Sequence, residues 1–242
     1  MNQYEIEIKI KGKFPNSDLW QTIIAQWVQN NKDYLEENDF KDAAYWHDEM
    51  ANISCLVGAI WKIGGVAISE YTINKNGGQN NNGRADLYFS INKTKYLVES
   101  KYIRKDTINS KEITTEMCCA LKDCHSCNES GLDNKMAIVF AAPNDSNQPI
   151  DFNAEELDYD IKVMLKIIDN TKPKYNDKVY DTIYLFGQYF KSIDEECSKK
   201  KIKEQNALAL LKLMAQSEED IKNNRFDSQE SFFEKIEQKL IQ

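Results

Sequence analysis

No apolar run in the chain approaches the roughly 20 residues that a membrane-spanning helix needs. The opening Met1-Asn2-Gln3-Tyr4-Glu5 has neither a basic region nor an apolar signal core. These two absences predict a cytoplasmic protein with no membrane partner. Internal repeats and long low-complexity linkers are also lacking, so 242 residues read as one large domain, or one domain with an appendage. Positive charge is in deficit: 31 Lys and Arg against 39 Asp and Glu leave a net charge of -8. A polyanion is therefore repelled at long range, and any affinity for nucleic acid must come from a local basic surface. Six cysteines are present, but without an export signal they are expected as free thiols.

What is present is concentrated in the middle. Gly83-Arg84-Ala85-Asp86-Leu87-Tyr88-Phe89 and Tyr96-Leu97-Val98-Glu99-Ser100-Lys101-Tyr102 are dense in β-formers, with Asn92-Lys93 between them as a turn. If those two residues are the whole loop, Ile91 faces Thr94 and Asp86 stands opposite Glu99, with Lys101 on the same face as Glu99. Two facing carboxylates about 5 Å apart destabilise a hairpin unless a cation lies between them. A hard divalent ion such as Mg2+, for which Mn2+ can substitute, suits oxygen ligands of this kind. Two other registers remain open. A loop at Lys93-Thr94 sets Asp86 against Lys101 as an ordinary ion pair, and a three-residue loop sends the two acids to opposite faces. Glu-x-Lys alone carries little weight, since Glu7-Ile8-Lys9 and Glu237-Gln238-Lys239 share it without an acidic partner.

From Tyr45 to Ile63 the periodicity is helical, with Trp46, Met50, Ile53, Val57 and Ile60 as an apolar stripe. Glu49 falls on that stripe, whereas Asp48 turns toward a polar flank with Asn52. An acid on a buried face is paired, protonated or metal-bound. Glu49 is thus either a further ligand or an edge residue reaching solvent or a lysine. Cys118, Cys119, Cys124, His125 and Cys127 invite a zinc reading through the spacing of Cys124 and Cys127. Against it, Ile113, Met117, Leu121 and Cys124 repeat at helical spacing and no second well-spaced pair exists.

These residues, in this order, resemble the PD-(D/E)xK phosphodiesterase superfamily, the nucleases with a restriction-endonuclease-like fold, over about the middle half of the chain. The resemblance implies a helix with Glu49, strands at Val66 to Ile73, at Asp86 and at Glu99-Ser100-Lys101, a helix from about Ser110 to Asn128, and a strand at Met136 to Ala142. It further implies Asp86, Glu99 and Glu49 as metal ligands, aided by the Ser100 carbonyl, and Lys101 as water-positioning base or charge stabiliser. Ala85 replaces the proline of the nominal signature, and the helix after the lysine offers only Lys111 and Lys122 as polar candidates. The implied activity is a Mg2+-dependent endonuclease on DNA, serving restriction, phage defence or a mobile element. The alternative is a catalytically quiet binding or assembly module on the same fold.

The remaining elements follow from pattern. Tyr4, Ile6, Ile8 and Ile10 predict a strand, and Ser17 caps a helix carrying Trp20, Ile23, Ile24, Trp27 and Val28. Gly77 to Gly83 reads as a polar loop, Phe152 to Asp169 as a helix and Thr182 to Tyr189 as a strand. Basic candidates are Lys101, Arg104, Lys105 and Lys111, and the run Lys199, Lys200, Lys201 and Lys203. The expected class is α/β (α+β), a mixed central sheet flanked by helices. A nuclease domain spans 1–190, and 191–242 is a helical C-terminal extension that could serve a homodimer or protein partner.

Overall fold

The computed structural model describes residues 3–75, 82–127, 132, 134–144, 150–168, 174–175 and 178–190. The chain divides into Met1–Ser192 and Ile193–Gln242. All described residues belong to the first unit, so the expected helical extension over 191–242, and the lysine run from Lys199, lie outside them.

The first unit is mixed α/β. Strands β1 (Tyr4–Ile10), β2 (Val66–Asn74), β3 (Asn82–Ile91), β4 (Thr94–Lys105), β5 (Asn134–Pro143), β6 (Ile161–Ile167) and β9 (Thr182–Tyr189) form one seven-stranded sheet in the order β1-β6-β9-β5-β4-β3-β2. A small separate ribbon pairs β7 (Lys174–Tyr175) with β8 (Lys178–Val179). Only β4 and β5 run parallel, and helix α3 (Ser110–Ser126) makes the crossover between them. Such a connection needs a dozen or more residues, where antiparallel neighbours manage with a tight turn.

The two faces of β5 show how the layers are built. Met136, Ile138, Phe140 and Ala142 join the core beneath α1 (Ser17–Glu37) and α2 (Glu49–Lys62), while Ala137, Val139 and Ala141 pack under α3. A strand buried on both faces has to be apolar at nearly every position, and β5 is. On the first face Trp27 lies against Phe140 and Trp20 meets Phe89 edge-on. On the second, Ile113, Met117, Ala120 and Cys124 form the buried stripe of α3. A capping box starts that helix: the Asn109 side chain accepts from the Glu112 N–H at 3.0 Å, and the Asn109 N–H donates to the Glu112 carboxylate at 3.2 Å.

Several expectations need correction. The helix expected over Phe152 to Asp169 is not formed across the described residues 152–168: a single 3-10 turn at Glu155–Leu157 precedes strand β6, and Asp169 lies outside the described residues. Ile161, Val163, Leu165 and Ile167 are buried and their alternate neighbours half-buried, a period of two that outweighs the charged residues between. The helix expected from Tyr45 is interrupted, with a 3-10 turn at Ala44–Trp46 and α2 starting only at Glu49. Asp48 is the N-cap there, accepting from the Ala51 N–H at 2.9 Å. Asn52 therefore faces inward and is fully buried, not on a polar flank. Asn16, in the left-handed region and without a side-chain cap, precedes α1, so Ser17 is its first residue and not its cap. Along β1, at the edge of the sheet, Tyr4 is buried but Ile6 and Ile8 are exposed. Among the described residues no helix is long and apolar enough to cross a membrane.

Candidate functional site

The hairpin of β3 and β4 closes with the two-residue loop in which Ile91 pairs with Thr94. Asn92 and Lys93 both have positive φ, 50° and 66°, as the mirror-image hairpin turns require. Pairing then runs from Ile91 and Thr94 to Leu87 and Val98 and stops one step short of Asp86 and Glu99. Between β2 and β3 the ladder likewise skips Asp86, with Ser69 opposite Leu87 and Tyr71 opposite Ala85 on either side. The skipped partner, Glu70, has a φ of 54°, costing about 1–2 kcal/mol for a residue with a Cβ. Beyond this step β3 changes sides: Leu87 and Phe89 lie in the core under α1 and α2, while Ala85 packs with Ile73, Leu97 and Cys127.

Freed from the ladder, the Asp86 carboxylate takes the hydrogen bonds the strand would have made. Its Oδ2 accepts from the Ser100 N–H at 2.6 Å and from the Ser100 Oγ at 3.0 Å. The same hydroxyl contacts Glu49 Oε1 at the start of α2. One hydroxyl thus lies between two carboxylates, one from a helix and one from a strand. Asp48 contributes by capping α2, which fixes where the first turn sets Glu49.

Glu99, next along β4, is only 2% exposed. Its Oε1 receives the Lys75 ammonium at 3.0 Å and the Cys127 thiol at 3.2 Å. Lys101 donates to the Ser100 carbonyl at 2.9 Å and forms an ion pair with Asp123 of α3 at 2.7 Å.

The electrostatics follow from crowding like charges in a dry place. Burial raises the pKa of Glu99, and the neighbouring Asp86 charge adds to this, against the opposing bonds from Lys75 and Cys127. Glu49 is raised for the same first reason; Ser100's hydrogen bond opposes the shift and the Asp86 charge reinforces it. Burial pulls the Lys101 and Lys75 ammoniums toward neutrality, but Asp123 and Glu99 respectively outweigh it and both are raised. The Cys127 thiol is pushed up to about 12 by burial and by Glu99, so it stays protonated and donates.

The four acids Glu49, Asp86, Glu99 and Asp123 meet the two ammoniums of Lys75 and Lys101 here, leaving two negative charges uncompensated when all are ionised. The donor set is oxygen only, which fits a hard divalent cation. Among the described residues, however, no three His, Cys, Asp or Glu side chains form a ready coordination group. The contacts give the reason: Ser100 holds Asp86 and Glu49, while Lys75 and Cys127 engage Glu99.

Asp123 and Lys75 escaped the sequence reading. Asp123 directly precedes Cys124 on the buried stripe of α3, and that adjacency was the available signal. Lys75 had none, because its path to Glu99 depends on a bridge between Lys75 and Cys127. Lys111 and Lys122, the candidates considered on α3, are exposed. Of the other basic candidates among the described residues, Arg104 donates to the Trp46 carbonyl and Lys105 pairs with Glu112 at 2.6 Å. Of the expected loop at Gly77 to Gly83, residues 77–81 lie outside the described residues and the last two belong to β3.

The cysteines do not assemble a zinc site among the described residues. Cys124 is buried in the core under α3, His125 lies near Phe190, and Cys127 is turned to Glu99. Cys55, Cys119, Cys124 and Cys127 are free thiols, but Cys118 is disulfide-bonded, contrary to the expectation of free thiols throughout. Comparison with protein-family models, curated proteins and solved structures finds no match.

Proposed function

We propose that this chain is a Mg2+-dependent endonuclease of the PD-(D/E)xK kind, with a restriction-endonuclease-like core, that hydrolyses phosphodiester bonds in DNA. One observation carries the reading: an acid from the start of a helix and one from a strand, Glu49 and Asp86, converge on Ser100 between Glu99 and Lys101, and the cluster holds two more acids than ammoniums. Asp86, Glu49 and Glu99 would hold the ion, with the Ser100 carbonyl beside them. When bound, the ion supplies Lewis-acid activation of water and of a phosphoryl oxygen.

The chain's own residues have separable tasks. Asp86 is oriented by the Ser100 N–H and hydroxyl. Lys101 keeps its ammonium through Asp123 and sets a positive charge beside the Ser100 carbonyl, where it can orient an attacking water and offset charge growing on the phosphate. Asp123 acts through Lys101 as a positioning residue.

A second reading, a quiet binding or assembly module on this fold, draws support from the internal pairing of Arg104 and Lys105 and from Lys75 on Glu99. The test that separates the two is cleavage of single- and double-stranded DNA and RNA with Mg2+ or Mn2+. Glu99→Ala and Lys101→Ala are expected to abolish cutting while preserving the far-ultraviolet dichroism. Wild-type protein inert on every polymer would favour the module.

A further inference from the structure

The cation on Glu99 does not come from its own strand. Lys101, two residues along β4, is turned to Asp123, and the ammonium on Glu99 comes from Lys75, just past the end of β2. Two features hold that side chain on course. The bridge to Cys127 anchors the Lys75 backbone beside the end of α3. Gly83, on β3, leaves room for its stem: a Cβ there would stand 2.6 Å from Lys75 Cδ and 2.7 Å from Cγ, closer than side chains tolerate. The ammonium reaches the most enclosed carboxylate of the cluster while its own side chain stays 21% exposed, which gives it a route out.

We propose that Lys75 is the resident counter-ion of Glu99, and that a divalent cation and the Lys75–Glu99 bond are alternatives at this carboxylate. This inference rests on the metal-site reading above. The physical basis is simple. Oε1 cannot serve an ammonium and a metal ion at full strength together, and a fixed positive charge at this distance repels an incoming cation through a poorly screened medium. Lys75 keeps the acids compatible with a folded sheet when no ion is bound, and it lowers affinity for the ion in return. Its removal therefore strengthens binding, the reverse of what deletion of a ligand does.

The experiment uses the full chain and titrates Mn2+ against wild type, Lys75→Gln, Lys75→Arg and Gly83→Ala, reading free Mn2+ by electron paramagnetic resonance, with circular dichroism to verify folding. Lys75→Gln should bind Mn2+ about tenfold tighter or better, as expected when a neighbouring like charge leaves. Lys75→Arg should stay near wild type. Gly83→Ala keeps the test open should Lys75→Gln fail to fold. It leaves the lysine in the chain but drives its stem aside, and should shift affinity in the same direction. Binding by Lys75→Gln alone, with none by wild type, also supports the proposal. Equal or weaker binding by a folded Lys75→Gln overturns it, and leaves the metal-site reading standing if wild type binds. No binding by any of the four proteins overturns both.

Discussion

Asp160 and Asp86 make the same kind of hydrogen bond and serve different ends. Asp160, 6% exposed at the entrance to β6, accepts the Tyr189 N–H at 3.0 Å and the Gln188 side-chain amide at 2.7 Å, clasping β9 with neutral donors. Asp86 accepts the Ser100 N–H at 2.6 Å in a comparable clasp between β3 and β4. The difference lies in their company. Asp86 raises the pKa values of both Glu49 and Glu99, whose carboxyls have been drawn into the same half-dry space. A buried acid met by polar hydrogens is a structural fixture. Several acids crowded beyond what local cations neutralise are a cost that folding alone does not explain, and that is what a binding site for positive charge looks like.

The largest effects should divide along this line. Glu99→Ala and Lys101→Ala are expected to remove nuclease activity entirely. Asp160→Ala should cut DNA at the wild-type rate and lose about 1–3 kcal/mol in urea unfolding, because a buried N–H and an amide lose their acceptor. An Asp160 variant that unfolds like wild type but no longer cuts would erase the distinction. Asp48→Ala falls between the two classes. Losing the cap on the Ala51 N–H should cost about 1 kcal/mol, and it loosens the turn that carries Glu49, so stability and cleavage should decline together. Urea melts and initial cleavage rates on one preparation measure both.

The candidate site was legible wherever it depended on local pattern. Asn92-Lys93 fixed the hairpin loop, and with it the register from Ile91 and Thr94 to Leu87 and Val98, one step short of Asp86 and Glu99. Contacts arranged across the sheet were hidden. Lys75 reaches Glu99 only because β2 carries it past Gly83, and Asp123 reaches Lys101 only because α3 returns over β4. For Ser100 only the carbonyl was singled out, yet its hydroxyl lies between two acids. The failure at Phe152 to Asp169 is of another kind. Ile161, Val163, Leu165 and Ile167 alternate plainly, but acids before them and lysines among them resemble an amphipathic helix until β1 and β9 are known to flank the segment on both sides.

Substituting Glu49 with Gln should have the smallest effect on stability, and it probes the crowding directly. The Glu49 carboxyl is raised above its ordinary value of 4.5 by burial first and the Asp86 charge besides, with Ser100 opposing. The unfolded chain therefore releases this proton at a lower pH than the folded chain. Across the window above 4.5, rising pH favours unfolding, and acidification recovers stability until the unfolded carboxyl is protonated too. Asp33, Asp42 and Glu112 are lowered and act in the opposite sense, so the wild-type curve alone is not diagnostic. The difference between proteins is. Gln keeps an acceptor for Ser100 without the charge, so Glu49→Gln should melt above wild type at pH 7, with the gap closing toward pH 4.5. Millimolar Mn2+ should invert that order at pH 7, because the ion rewards the charge that crowding penalises. A gap independent of pH and of Mn2+ would mean that Glu49 belongs with Asp160.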